Sequence, residues 1–198
     1  MNLALADVLR CPNDHEEESL VVMTTVVDGS EVREGLLGCP RCREEFPIRE
    51  GIPEFGGESN LAGGSEPGVE LEAEAVQALL GLTSGGGHVL LAGSVGGMGT
   101  QLAELLDGVG VVGWNSPSSE NAGVNFSFVR SAHEVWPFKS SMFRGVVVGP
   151  EWNDGPNISE ATRVLLKGQR VVVLGGGNVA GEVEWIVSDP TAQVGVKR

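Results

Sequence analysis

Short apolar runs recur through the second part of the chain, each too brief for a helix and each bounded by turn residues. They are His88-Val-Leu-Leu-Ala92, Gly110-Val-Val-Gly-Trp114, Asn125-Phe-Ser-Phe-Val129, Gly145-Val-Val-Val148 and Arg170-Val-Val-Val-Leu174. Runs without polar alternation read as strands covered on both faces. Between and before them the apolar positions fall at helical spacing. Val69, Ala73, Val76 and Leu80 share one face, Thr100–Leu106 continues the pattern, and Ser159–Leu166 reads as a helix stopped by Lys167-Gly168. Strand and helix in alternation imply a mainly parallel sheet with right-handed crossovers. The last residues differ: Val183–Val187, Asp189-Pro190 and Val194–Val196 read as a closing hairpin.

The first 55 residues carry another pattern. Leu3, Leu5, Val8 and Leu9 suit a short helix or strand. Leu20–Val27 is rich in β-branched residues, Asp28-Gly29 marks a turn, and Leu36-Leu37 completes a hairpin. Gly56–Gly68 offers almost nothing to bury and reads as a glycine-rich linker. The expected division is therefore a small β-rich unit over 1–55, a linker over 56–68 and an α/β unit over 69–198. That second unit should be a Rossmann-like, doubly wound sheet.

Glycines at Gly93, Gly96, Gly97 and Gly99, with Ser94 among them, stand between the first strand and its helix. A loop of this kind lets a ligand approach the backbone and aims unpaired N–H groups at it. A tight turn that holds nothing uses the same residues. A second glycine-rich turn, Leu174-Gly-Gly-Gly-Asn-Val-Ala180, fits a dinucleotide fingerprint, but 18 residues after Ala180 are too few for the rest of a βαβ unit.

The three cysteines, Cys11, Cys39 and Cys42, cannot make a closed disulfide set, and two of them form a C-x-x-C. A unit of this size is insecure on its core alone, and structural zinc is the usual remedy. Three thiolates leave one corner of the tetrahedron open. Asp14 stands where a second C-x-x-C would place its cysteine, with His15 beside it, and either can ligate. The competing reading is an empty site with three small thiols.

The net charge of -14, without a lysine or arginine cluster, argues against nucleic acid as the main partner. Residues 1–58 carry five basic against thirteen acidic side chains, a solubilising face rather than a docking one. No apolar run approaches the ~18 residues of a membrane span, which leads us to expect a cytoplasmic protein.

Two resemblances follow from the motifs. Cys11-Pro12, Cys39-Pro-Arg-Cys42 and Phe46-Pro-Ile-Arg-Glu-Gly-Ile-Pro53 resemble the small zinc-ribbon proteins that activate tRNA, ribosomal-RNA and protein methyltransferases by covering an apolar edge. Val89–Gly99, Val135–Val148 and Glu160–Val173 are similar to three consecutive motifs of class I S-adenosylmethionine-dependent methyltransferases. The second resemblance implies a cofactor site at the glycine loop, Trp114, Asn115 and Ser131, with Glu151, Trp152 and Asn153 on the substrate side. It also exposes departures. The acidic residue expected before the first glycine is replaced by Leu91-Ala92, the ribose-binding carboxylate by Asn115, and the adenine-facing acid by Ser131. Three lost charge-assisted hydrogen bonds at about 1.5–3 kcal/mol each would weaken cofactor binding by several powers of ten. Two functions remain open: a non-catalytic methyltransferase-like protein acting with a protein partner or a second copy, and an active methyltransferase on a small molecule or macromolecule. Trp114 and Trp152 serve equally as packing at strand ends, and His133 as a solvated or capping residue.

Overall fold

A computed structural model describes residues 1–56, 71–116, 125–176 and 183–198. Its strands are β1 (Val21–Asp28), β2 (Glu31–Gly38), β3 (Glu45–Arg49), β4 (Ile52–Phe55), β5 (His88–Ala92), β6 (Gly110–Trp114), β7 (Phe126–Ser131), β8 (Phe143–Val148), β9 (Leu165–Leu174), β10 (Val183–Ser188) and β11 (Ala192–Lys197). The helices are α1 (Ala73–Leu80), α2 (Gly99–Leu105) and α3 (Gly155–Val164). All the strands join one sheet in the order β1-β2-β3-β4-β7-β6-β5-β8-β9-β11-β10. From β4 through β9 neighbours run parallel, whereas β1–β4 form an antiparallel meander and β11 enters antiparallel between β9 and β10. The β7-β6-β5-β8-β9 core is the reversing order of a Rossmann-like α/β sheet, with its switch point between β5 and β8.

Burial on both faces explains why the central strands are apolar throughout. On one face Val89, Leu91, Val111, Val147 and Val172 pack against Ala73, Val76 and Leu80 of α1 and Leu102 and Ala103 of α2. On the other, Leu90, Val112, Trp114, Val146 and Val171 meet Ile158, Ala161 and Val164 of α3. The rest of that second face is covered by the N-terminal segment: Leu5, Val8, Leu9, Leu37, Phe46, Ile48 and Phe55 lie in the same cluster.

The N-terminal unit is therefore joined to the rest through both sheet and core. Glu54 and Phe55 pair with Arg130 and Ser131, the Ala132 N–H donates to Phe55 O at 2.8 Å, and the Lys139 N–H donates to Val8 O at 2.8 Å. Leu3–Val8 forms a 3-10 turn, settling the choice the sequence left open. Most of the expected linker, and Val69 of the first helical face, lie outside the described residues.

The helix expected over Ser159–Leu166 starts earlier and stops sooner. Asp154 caps it, its carboxylate accepting from the Asn157 N–H at 2.9 Å, and Pro156 suits the first turn. Leu165 is already extended, because its side chain is needed in the core beside Phe143. Gly168, with φ 78°, serves as a kink inside β9 rather than as a helix stop. The closing hairpin is found as β10 and β11. No helix among the described residues is long and apolar enough to cross a membrane.

At the N-terminal ends of β5–β7 a cleft of about 460 Å³ is lined by His88, Asn2, Glu31, Arg33, Asn125 and Ser127. Burial holds the His88 imidazole below its ordinary value of 6.5, with Asp7 opposing the shift. A cation disfavoured in the fold costs stability only where the unfolded chain is protonated. The contribution is intact above 6.5 and is lost as pH falls through the lower folded value. Urea midpoints should fall between about pH 7 and 5, less steeply in His88→Gln. The shared core makes a second prediction: Phe55→Ala should lower the unfolding free energy by about 3–5 kcal/mol in a single transition. Two separated transitions in urea, read by tryptophan fluorescence and circular dichroism, would contradict it.

Candidate functional site

Two groups of residues singled out by the sequence converge in space. The first is at the knuckles of the N-terminal unit. Cys11 follows the 3-10 turn, His15 lies four residues on, and Cys39 and Cys42 close the turn after β2, where the Arg43 N–H donates to Cys39 O at 2.9 Å. Their four ligand atoms lie within 4.8 Å of one another. Cys11 Sγ and Cys42 Sγ are 3.7 Å apart, and Cys39 Sγ and His15 Nε2 are 3.5 Å apart. A tetrahedral zinc with ordinary bond lengths has edges of about 3.8 Å between sulfurs and about 3.6 Å between sulfur and nitrogen. The donor set fits the metal.

The surroundings agree. His15 Nδ1 donates to Glu16 O at 2.7 Å, which leaves Nε2 with its lone pair toward the thiols. Asn13 Nδ2 donates to Cys42 Sγ at 3.4 Å. Burial pushes the Cys11 thiol up to about 12, whereas a backbone hydrogen bond from Glu44 draws Cys42 down to about 6. Of the two side chains considered for the fourth corner, His15 lies in the group with the three cysteines; Asp14 is exposed and outside it.

The second group is at the C-terminal ends of the parallel strands. Gly93 leaves β5 with φ 81°, a conformation that favours glycine, and opens a short 3-10 turn over Gly93–Met98 that leads into α2. Gly99 lies against the Phe126 ring, which a Cβ would overlap. A side chain of the protein itself occupies the loop. The Glu151 carboxylate accepts from the Ser94 N–H and from Ser94 Oγ, the latter at 2.9 Å, and a Cβ on Gly93 would strike both Glu151 and Trp152. Ser116 fills the space over Gly96.

Trp114, at the end of β6, is buried between two other indoles, with ring centroids 4.5 Å from Trp136 and 4.9 Å from Trp152. Asn115, with φ 47°, is 2 % exposed and bonded in both directions to the end of β7. Its Nδ2 donates to Ser131 O, and its Oδ1 accepts from the Ser131 N–H, both at 2.8 Å. Ser131 Oγ accepts from the His133 N–H at 3.1 Å. Asn153 Nδ2 donates to Leu174 O and to Gly176 O, each at 3.3 Å. Gly97 is open, with nothing within 4 Å of where its Cβ would stand.

The candidate residues therefore do come together, and the polar groups of Ser94, Asn115 and Ser131 are engaged within the chain. A cofactor's carboxylate at Ser94 would meet the Glu151 charge, and its ribose hydroxyls would find Asn115 already paired. S-adenosylmethionine does not fit the site in this form. The placement of Glu151 over the glycine loop, rather than on the substrate side, is what sequence reasoning missed. Ser94 and Glu151 are 57 residues apart, and only the β5–β8 pairing brings them together.

No protein-family model matches the chain, and no curated protein matches it. Solved structures do overlap with it. A geranyl diphosphate methyltransferase in complex with GPP and sinefungin is 21% identical over 51% of this chain and 42% of that one, with a TM-score of 0.41. The geranyl diphosphate C-methyltransferase of Streptomyces coelicolor, solved with S-adenosyl-L-homocysteine, gives 20% identity over 51% and 41% of the two chains and a TM-score of 0.42. The antibiotic-resistance methyltransferase Kmr gives 10% identity over 64% and 92%, with a TM-score of 0.46. The chain spans less than half the length of the first two.

Elemental analysis should find one zinc per chain. His15→Ala should weaken zinc binding by more than the roughly 10–100-fold typical of losing an outer partner, and Asp14→Ala should leave it unchanged. Equal losses in the two variants would place the fourth ligand wrongly.

Proposed function

We propose that this is a methyltransferase-like protein whose cofactor crevice is filled by its own side chains, and that it works as a binding or structural subunit. The observation that carries this reading is the Glu151 carboxylate on the Ser94 donors. Those donors are the anion-binding feature of the glycine loop, and an internal carboxylate satisfies them at no cost in translational freedom. Trp152, its ring tilted against Trp114, closes the same crevice with apolar surface. The absence of acidic side chains at Leu91, Ala92, Asn115 and Ser131 points the same way.

Zinc belongs to this reading as a structural ion. Cys11, His15, Cys39 and Cys42 would hold it, and when bound it supplies a cross-link between the start of the chain and the β2–β3 turn. With all four corners taken by protein, no position is left for a substrate.

One observation favours the alternative, an active S-adenosylmethionine-dependent methyltransferase on a small molecule or macromolecule. The indole N–H groups of Trp114 and Trp152 are buried without an acceptor. Buried donors normally find a partner, and a ligand admitted by movement of the Pro150–Trp152 turn would supply one. Such an enzyme would need little beyond alignment, since the sulfonium is already electrophilic.

Calorimetry separates the two. The unaltered chain should give no binding heat with S-adenosylhomocysteine up to about 1 mM, and micromolar affinity would refute the proposal. Glu151→Ala, which frees the Ser94 donors, should bind at least about tenfold more tightly than the unaltered chain. No gain would show that Glu151 is not what keeps the ligand out.

A further inference from the structure

The outer edge of β1 carries a pattern that the pocket reading does not use. Among the described residues eight large apolar side chains are exposed, and four of them, Val21, Met23, Val26 and Val27, stand on this one strand. Among the described residues β1 ends the sheet and has a strand neighbour on one side only, so its other side presents backbone groups outside the ladder. Leu20 to Val27 contains no charged residue and no proline, the devices by which edge strands usually repel one another. In a chain of net charge -14, this strip carries no carboxylate of its own before Asp28.

The sequence of the strip selects its partner. Val22-Met23-Thr24-Thr25-Val26-Val27 reads nearly the same in both directions about the Thr24–Thr25 bond. Antiparallel pairing of two copies about a two-fold axis at that bond sets Val22 opposite Val27, Met23 opposite Val26 and Thr24 opposite Thr25. In a regular strand that arrangement fails: side chains alternate, so residues 23 and 26 of one copy point to opposite faces, and directly opposed residues must share a face. The bulge removes the conflict. Thr24 pairs with Gly35 and Val26 with Glu34, so Thr25 is an extra residue and the alternation resets there. Met23 opposes Leu36 and Val26 opposes Glu34, two residues apart on β2, which puts Met23 and Val26 on one face. β2 has its own irregularity at Arg33, between the Val26–Glu34 and Val27–Val32 pairs, so the buried Leu37 and Val32 share the core face and set Val22 and Val27 on that side, Val27 remaining exposed at the sheet edge.

The geometry points to a two-fold dimer of this chain, formed by antiparallel β1–β1 pairing centred between Thr24 and Thr25. The interface is isologous and closes after two copies, joining the two sheets edge to edge. Pairing of β1 with the other sheet edge, β10, would be head-to-tail and would give a ring or an open filament rather than a closed pair. The dimer stands independently of whether the crevice admits a cofactor.

The test is a charge exchange across the axis in the full-length protein, with mass measured by light scattering after size exclusion at about 50 μM, above a micromolar dissociation constant. The unaltered chain should have twice its 20.7 kDa mass. Met23→Lys/Val26→Lys sets lysine against lysine at both symmetry-related contacts and should give the monomer, with the circular dichroism of the parent because both positions are exposed. Met23→Lys/Val26→Glu sets opposite charges across the axis and should restore the dimer. A monomeric parent, open-ended assemblies, a dimer that survives the paired lysines, or no recovery with the lysine–glutamate pair would each overturn the assignment.

Discussion

Trp114 must be buried on both sides of its ring, and most of what is distinctive in this molecule follows from how that is done. It ends β6 at the mouth of the parallel sheet, where such folds usually leave a crevice for a ligand. Here Trp136 and Trp152 both lie against it, with ring centroids 4.5 Å and 4.9 Å away. Trp136, in the loop after β7, is itself held by α3: its backbone N–H donates to Glu160 at 2.8 Å, and its indole donates to Asn157 at 3.1 Å. Trp152 brings Glu151 with it, and Glu151 lands on Ser94. The aromatic stack and the filled glycine loop are thus one arrangement.

The same requirement for cover explains the N-terminal unit. The sheet face built by Leu90, Val112, Val146 and Val148 has α3 over one part, and β1–β4 with the Leu3–Val8 turn take up the rest. Here the cover is part of the chain and is tied down by Glu54–Arg130 at 3.3 Å and by the Glu17, Glu160 and Arg163 group. A metal at the knuckles would cross-link the Cys11–His15 segment to the turn after β2.

The central strands were legible in the sequence because burial on both faces leaves no room for polar residues, so β5, β6 and β8 announce themselves as unbroken apolar runs. The Cys/His cluster was legible because the spacings Cys11–His15 and Cys39–Cys42 are local; that His15 joins it and Asp14 does not depends on the direction each side chain takes. Less local features were hidden. Gly168 looked like a helix stop because glycine suits both a stop and a kink, and only the register of β9 on β8 distinguishes them. Glu151 was visible as a residue near the crevice, but its place on Ser94 depends on a parallel pairing between strands far apart in the chain. The bulge at Thr25 leaves no signature in composition, yet it decides which side chains of β1 share a face.

The most direct test of the filled crevice is a crystal structure of the protein grown with excess S-adenosylhomocysteine. The account requires Glu151 to remain on the Ser94 N–H with Trp152 against Trp114 and no adenosyl density at Gly93. Density for the adenosyl group there, with Glu151 turned away, would contradict it.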